Sequence, residues 1–461
     1  MVANEARQPA GAGEPSQVRP LRNSVMRAII LSETISALGS QMTYLVLPWF
    51  VLVTTGSATR MGLVFAIELV PVALLGIPAG LAVQRLGVRR TMLIGDSARG
   101  VLIALVPVLY QLHALSFGAL LAIVFCVGIF SGPYVSAQRL VIPETFGDSE
   151  ALVVQGNALL ESATRLTSLL GPAMAGLLIG VLGAVHVLWF DAASFVISFG
   201  ILAARLPRPE RSMAGAEGSS GVLAGARFVL GNPLLRRVSA AALLFGLFFP
   251  ALLASLPVVA DRRFDANPKV AGLLFAAWGA GALIGLYGVM RFASKLPPIR
   301  MGALAAVALA LPLWLLALPL NAWQFGLVLL VSGVFTPMLN APLITLILLR
   351  TPEELRAQVI AFVMTANLLA GPLGYALAGP ALQAWGLRTV LLVVAAGISV
   401  AALLMSTIIK VDAAGAEPAS EESLGAEPME ADVVAHGEAL PGTGQPPGEG
   451  ERAEDQELPP A

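Results

Sequence analysis

Along this chain apolar residues do not alternate with polar ones; they come in runs of about 20 or more, separated by short polar stretches. Twelve runs fall at about 25–54, 60–84, 91–110, 115–139, 153–183, 185–205, 235–260, 269–293, 299–319, 322–347, 357–384 and 387–410. An α-helix needs roughly 20 residues to cross the hydrocarbon core of a bilayer. The longer runs imply tilt or extension beyond it. No period-two pattern supports the strands of a membrane barrel. The predicted fold class is an all-α membrane protein of twelve transmembrane helices.

Two of the runs open alike. MGLVFAIEL (61–69) returns as AGLLFAAWG (271–279) at an offset of 210, with Glu68 replaced by Trp278. At the same offset Arg85 meets Lys295 and Arg90 meets Arg300, so the basic loop after span two recurs after span eight. A Gly-Pro pair stands in span five (Gly171–Pro172) and again in span eleven (Gly371–Pro372). The twelve spans thus read as two parallel six-helix repeats, with a substrate site expected between them near the bilayer midplane. The predicted organisation is a cytoplasmic segment 1–24, a first half 25–205, a linker 206–234 holding RPERSMAGAEGSSG, a second half 235–410, and a tail 411–461.

Composition agrees. Hydrophobic residues are 57% of 461 and charged residues 12%, about half the ~25% typical of soluble domains. Mean hydropathy is +0.80. The net charge of −1 hides an imbalance: from Val411 onward there are 13 acidic residues and one basic, leaving 27 Lys/Arg against 16 Asp/Glu before it. The tail, rich in Pro, Gly, Ala and Glu, is predicted to be disordered. The basic residues of the body sit in short loops, which points to topology control and not to nucleic acid. With the N-terminus inside, 21 Lys/Arg collect on the inner side, 5 on the outer, and Arg99 and Arg165 lie within spans. Both termini are therefore expected in the cytoplasm, and the first run is expected to be a retained span of a plasma-membrane protein.

Much chemistry is excluded. One cysteine (Cys126) and three scattered histidines make neither a disulfide nor a metal cluster. No Gly-x-x-x-x-Gly-Lys-Ser/Thr loop is present, so ATP does not drive this chain directly. The loops are too short to hold an enzyme, and no cofactor is expected. The expected partners are the lipid bilayer, a small-molecule substrate and protons, with the chain acting as a monomer.

GLAVQRLGVRRTML (80–93) resembles the loop motif of the major facilitator superfamily, Gly-x-x-x-Asp-Arg-x-Gly-x-Arg-Arg. Gly80, Arg85, Gly87, Arg89 and Arg90 match it, and Gln84 stands at the Asp position. LGSQMTYLVLP (38–48), GDSARG (95–100), GPYVSAQRLVIPE (132–144) and LLGPAMAGLL (169–178) are similar to the branch with macrolide-efflux and enterobactin-exporter proteins. The resemblance implies export of a small organic molecule in exchange for protons, and a cytoplasmic gate around Gly80, Gln84, Arg85, Gly87, Arg89 and Arg90. Two departures stand against a direct transfer of mechanism. Gln84 carries no charge for a latch, and span four lacks the intramembrane Arg of many proton-driven exporters. A facilitator or importer without proton coupling, and a scaffold or sensor signalling through the tail, stay open as alternatives.

Ionisable groups inside spans are costly and face the protein interior or a water-filled cavity by default. The embedded acids, Glu33, Glu68, Asp96, Glu161 and Asp191, all lie in the first half. Proton exchange needs such a carboxyl group, tuned by desolvation. Asn157, Glu161 and Arg165 are spaced by four and form one polar stripe, either a coupling pair or a locked ion pair. Glu33 lies at similar depth and is a candidate for coupling or substrate binding, with Arg165 as a partner it could share. Glu68 is a candidate for coupling or outer gating. Asp96 and Arg99, beside the basic loop, read as a charge network tuning the inner gate, and Asp191 as an interfacial acid at a helix end. Tyr134, Gln138, Phe245, Phe249 and Asn340 are candidates for lining a cavity, Phe248 shares the aromatic face of span seven, and Gln41 joins the polar candidates of span one. Helix packing is the competing reading for the aromatic faces.

Overall fold

A computed structural model of the chain describes residues 20–147, 149–207, 222–292, 295 and 297–416. These residues form fourteen α-helices: α1 Ser24–Thr55, α2 Ala58–Leu74, α3 Gly76–Leu86, α4 Val88–Gln111, α5 Phe117–Phe146, α6 Glu150–Leu182, α7 Ala184–Arg205, α8 Val222–Gly231, α9 Pro233–Arg263, α10 Pro268–Phe292, α11 Pro298–Leu313, α12 Ala322–Leu349, α13 Glu353–Ala384 and α14 Leu387–Ala416. Eleven are long and apolar enough to cross a membrane, and the bent pair α2–α3 makes a twelfth span.

The bend departs from the expected continuous span 60–84. The axes of α2 and α3 differ by 61°. Pro78 has no N–H to offer the Leu74 carbonyl four residues back, so the helical ladder is interrupted there. A second departure lies in the connection 206–234, where α8 forms, buries Val229 and packs on α13. A third is α14, which runs to Ala416, beyond the expected limit at 410. Residues 417–461, most of the predicted disordered tail, lie outside the described residues, as does 208–221.

The helices begin and end where local chemistry dictates. The Asn23 side chain accepts from Val25 N and Met26 N at the start of α1, and Asn232 does the same at α9, ahead of Pro233. Between α1 and α2 one cap follows the other directly. Gly56 takes a left-handed conformation (φ 64°), and the Ser57 side chain accepts from Arg60 N. Such tight caps leave almost no loop for a water-soluble domain.

α1–α7 pack among themselves, chiefly α1 on α6 and α7 and α4 on α5 and α7. The second half mirrors this with α10 and α11 on α12 and α13 on α9. The halves are joined chiefly by α2 with α13 and by α6 with α10. Both lie at the end of the bundle where α1 finishes, here called the far end. A Cβ on Gly62 would lie 2.8 Å from the Tyr375 carbonyl oxygen and 2.9 Å from Gly379 Cα. A Cβ on Gly272 would lie 2.6 Å from the Pro172 carbonyl oxygen and 3.0 Å from Gly176 Cα. Gly62 and Gly272 are the same position of the doubled phrase. The repeated words in the sequence are the two seams between the halves.

Candidate functional site

Polar residues on α1 recur at three- and four-residue steps, Glu33, Ser36, Ser40 and Thr43, so they share one face. That face meets the first half's interior. Glu33, only 2% exposed, accepts from Tyr134 Oη at 2.7 Å and from Gln138 Nε2 at 2.6 Å. Tyr134 and Gln138 stand one turn apart on α5, so a single helix face supplies a donor to each carboxylate oxygen. The Arg99 guanidinium lies 3.7 Å from the Tyr134 ring centroid and 4.6 Å from that of Phe195. It is paired with Asp96 at 2.8 Å, and the other Asp96 oxygen accepts from Ser198 Oγ at 2.7 Å. One continuous polar network thus crosses α1, α5, α4 and α7 inside an apolar bundle.

Asp191 is the clear correction to the sequence reading. It is not an interfacial helix-end acid but 1% exposed, two turns into α7, and accepts from Thr43 Oγ1 at 2.5 Å. Helix α7 starts at Ala184, and its close packing on α1 buries the residue beneath Thr43. Arg165 pairs with Glu161 at 2.6 Å on its own helix, the pair that the spacing on this stripe suggested, with both side chains substantially exposed (44% and 61%). Glu33, which could have shared Arg165, is held by Tyr134 and Gln138. Asn157 is exposed on the same stripe of α6. Gln41 donates to Ser168 Oγ at 3.0 Å and ties α1 to α6.

Glu68 lies on α2, with its Oε2 buried and without a hydrogen-bond partner among the described residues. One turn before it, the Phe65 ring stacks on Tyr375 of α13 at 4.7 Å, and the Tyr44 and Tyr375 hydroxyls are hydrogen-bonded to each other. Tyr44 also meets Phe65 and Phe275 edge-on. This aromatic cluster closes the space between the halves beneath the glycine seams. Sequence reasoning passed over Tyr44 and Tyr375, although few of the chain's five tyrosines lie deep in apolar runs.

In the second half, Phe245, Phe249 and Asn340 line a cavity of about 320 Å³. Phe245 and Phe249 stack on one another at 5.3 Å, and Phe249 leans on Trp278 at 5.0 Å. Tyr134 and Gln138 do not join this cavity; they serve Glu33. Phe248 packs against Gly397 of α14. Thr336 and Asn367 line the cavity too and were not singled out from sequence.

In the basic loop Gly87 has φ 78°, which turns the chain sharply from α3 into α4. Arg89 donates to the carbonyls of Leu206 (2.9 Å) and Ala203 (2.8 Å), closing the end of α7. α3, which carries Gly80, Gln84 and Arg85, packs on α4 and α5 of its own half. Arg90 follows Arg89 in the first turn of α4.

Among the described residues no group of His, Cys, Asp and Glu could hold a metal ion. A sequence profile of the Major Facilitator Superfamily matches residues 29–375. The chain is 30% identical over 382 residues to the multidrug efflux pump Tap of Mycolicibacterium fortuitum, covering 79% of this chain and 90% of that protein. It is 26% identical over 381 residues to the multidrug efflux pump Tap of Mycobacterium tuberculosis, covering 80% and 89%. Among solved structures it superposes on the nucleoside transporter NupG with a TM-score of 0.71 at 14% identity, covering 84% and 99%. A bacterial homologue of the iron transporter ferroportin in an inward-facing state gives a TM-score of 0.67 at 15% identity, covering 84% and 98%.

Proposed function

Since the chain belongs to the major facilitator superfamily and is a multi-pass membrane transporter of small molecules, not an enzyme, we propose that it exports amphipathic small organic molecules across the plasma membrane in exchange for protons. Both termini face the cytoplasm in this reading, as the Lys/Arg bias implies. The closed far end is then the outer face, and the halves rock about their midplane to open one side at a time. Two relatives described as multidrug efflux pumps support the export direction and the breadth of substrate.

The carrying observation is the setting of Glu33. Both its oxygens are held by neutral donors, a phenol and an amide, and no basic side chain is hydrogen-bonded to it among the described residues. A buried carboxyl group without a bound counter-charge can take up and release a proton without breaking an ion pair. Arg99, reaching the ring of Tyr134 from α4, supplies the basic group that span four itself lacks. Glu33 is thus the proton-exchanging group, Tyr134 and Gln138 position it, and the Asp96–Arg99 pair sets the field around it.

The test is transport by the full chain in proteoliposomes under an imposed pH gradient. Uphill substrate movement is expected only when protons run the opposite way, and Glu33→Gln is expected to abolish that response. Wild-type flux indifferent to the gradient would leave facilitated movement without protons, the reading that Gln84 favours. A gradient response preserved in Glu33→Gln would remove Glu33 from the role.

A further inference from the structure

The cavity of the second half is not a gap between the halves. Its wall comes from α9, α11, α12, α13 and α14, all of the second half. Among the described residues no charged side chain lines it, and the spans of that half carry no acid between Asp265 and Glu353. A permanent cation lodged there would find no counter-charge, a heavy penalty in low-dielectric surroundings. The wall is nonetheless not wholly apolar. Thr336 and Asn340 stand one turn apart on α12, and Asn367 approaches from α13. The Thr336 hydroxyl is buried without a hydrogen-bond partner among the described residues. A native bundle leaves few such atoms unsatisfied, and those it leaves call for a ligand or water.

The Gly-Pro pairs sharpen the picture, because they turn out unalike. A Cβ on Gly171 would run into Gln41 of α1, so that glycine exists for helix packing. A Cβ on Gly371, which lines the cavity, would meet nothing nearer than Leu69 Cδ1 of α2 at 4.0 Å. Gly371 therefore leaves room for a Cβ where the cavity borders Leu69 of the first half. It marks the mouth.

We propose that this cavity is a binding pocket for an uncharged, mainly apolar molecule or molecular part that carries a carbonyl or hydroxyl group. The ring faces of Phe245 and Phe249 take its apolar body, and Thr336, Asn340 and Asn367 meet its polar group. At about 320 Å³ the pocket is at the small end of the roughly 300–1,000 Å³ seen for ligand sites. It rests on the export reading in that the ligand is the exported molecule. Charge handling is then confined to the first half and substrate selection to the second.

The test is equilibrium binding to the full chain in lipid nanodiscs, with no gradient, using radiolabelled chloramphenicol (neutral, amide-bearing) and ethidium (a permanent cation). Saturable chloramphenicol binding is expected in the wild type. Thr336→Val and Asn367→Ala should each weaken it several-fold, by about the worth of one hydrogen bond. Gly371→Leu, which fills the mouth without a backbone clash, should weaken it by about tenfold or more while leaving ethidium binding unchanged. Thermal unfolding checks that each variant is folded, and the near-isosteric Thr336→Val carries the test if Gly371→Leu is not. No saturable chloramphenicol binding, equal binding in wild type and all three variants, or ethidium binding lost with chloramphenicol in Gly371→Leu would each overturn the pocket. A lipid acyl chain retained by the purified wild type and lost from Gly371→Leu would overturn it as well. Binding needs no proton gradient, so a pump that fails the coupling test can pass this one. Conversely, gradient-driven chloramphenicol export untouched by Gly371→Leu would spare the export reading and sink the pocket.

Discussion

At the residue scale, the network around Glu33 makes a distinction that single substitutions can read. Tyr134→Phe removes one donor to Glu33 yet keeps the ring beneath Arg99. The expected cost is about 1–3 kcal/mol of stability, that of a buried polar group left unpaired, seen as a lower midpoint of thermal unfolding in detergent. A midpoint unchanged from wild type would mean that Glu33 does not depend on this bond. Glu33 itself was legible in the sequence because a lone acid in an apolar run stands out. Asp191 was equally visible but its setting was not. Its distance from the predicted span end made it look interfacial, whereas the helix start and the long-range packing of α7 on α1 carry it under Thr43. Arg165 shows the opposite case: its partner Glu161, one turn away on the same helix, was legible from spacing alone.

At the scale of elements, the seams between halves depend on backbone approaching backbone. Gly62→Leu should hold α2 off α13, and Gly272→Leu should hold α10 off α6, because Cβ positions within 3 Å of main-chain atoms leave no room for rotamer escape. The expected outcome is a shift away from far-end closure, read as a longer and broader distance between spin labels near the far ends of the paired helices. Labels reporting an unchanged distance would show that the seam is not what closes this end. The doubled phrase identified the shared scaffold from sequence, but not that each copy's glycine meets a glycine of the other half. That pairing spans 317 residues in one seam and 96 in the other, and leaves no local signal. The break between α2 and α3 had a local signal in Pro78, yet the unbroken hydrophobicity on either side masked it.

For the whole molecule, span number was readable because bilayer thickness sets the length of any crossing helix, and the repeat because one phrase stands twice in the chain. How far the last helix runs was not, since its final turns, VDAAGA, are no longer apolar. A truncation test of the scaffold alternative should therefore cut after Ala416. Removal of residues 417–461 is expected to leave substrate flux in proteoliposomes within about twofold of wild type, because none of the residues assigned a role in transport belongs to it. Loss of flux on truncation would assign the tail a part in transport. The glycine seams have one more consequence. Joins made of main chain carry little recognition, so among the contacts described the choice of second half rests on a few side chains, chiefly Tyr44 and Phe65 against Tyr375. The tether between α7 and α9 adds to this by giving the cognate half a high effective concentration. Severed there, neighbouring copies in a crowded membrane would be free to trade halves.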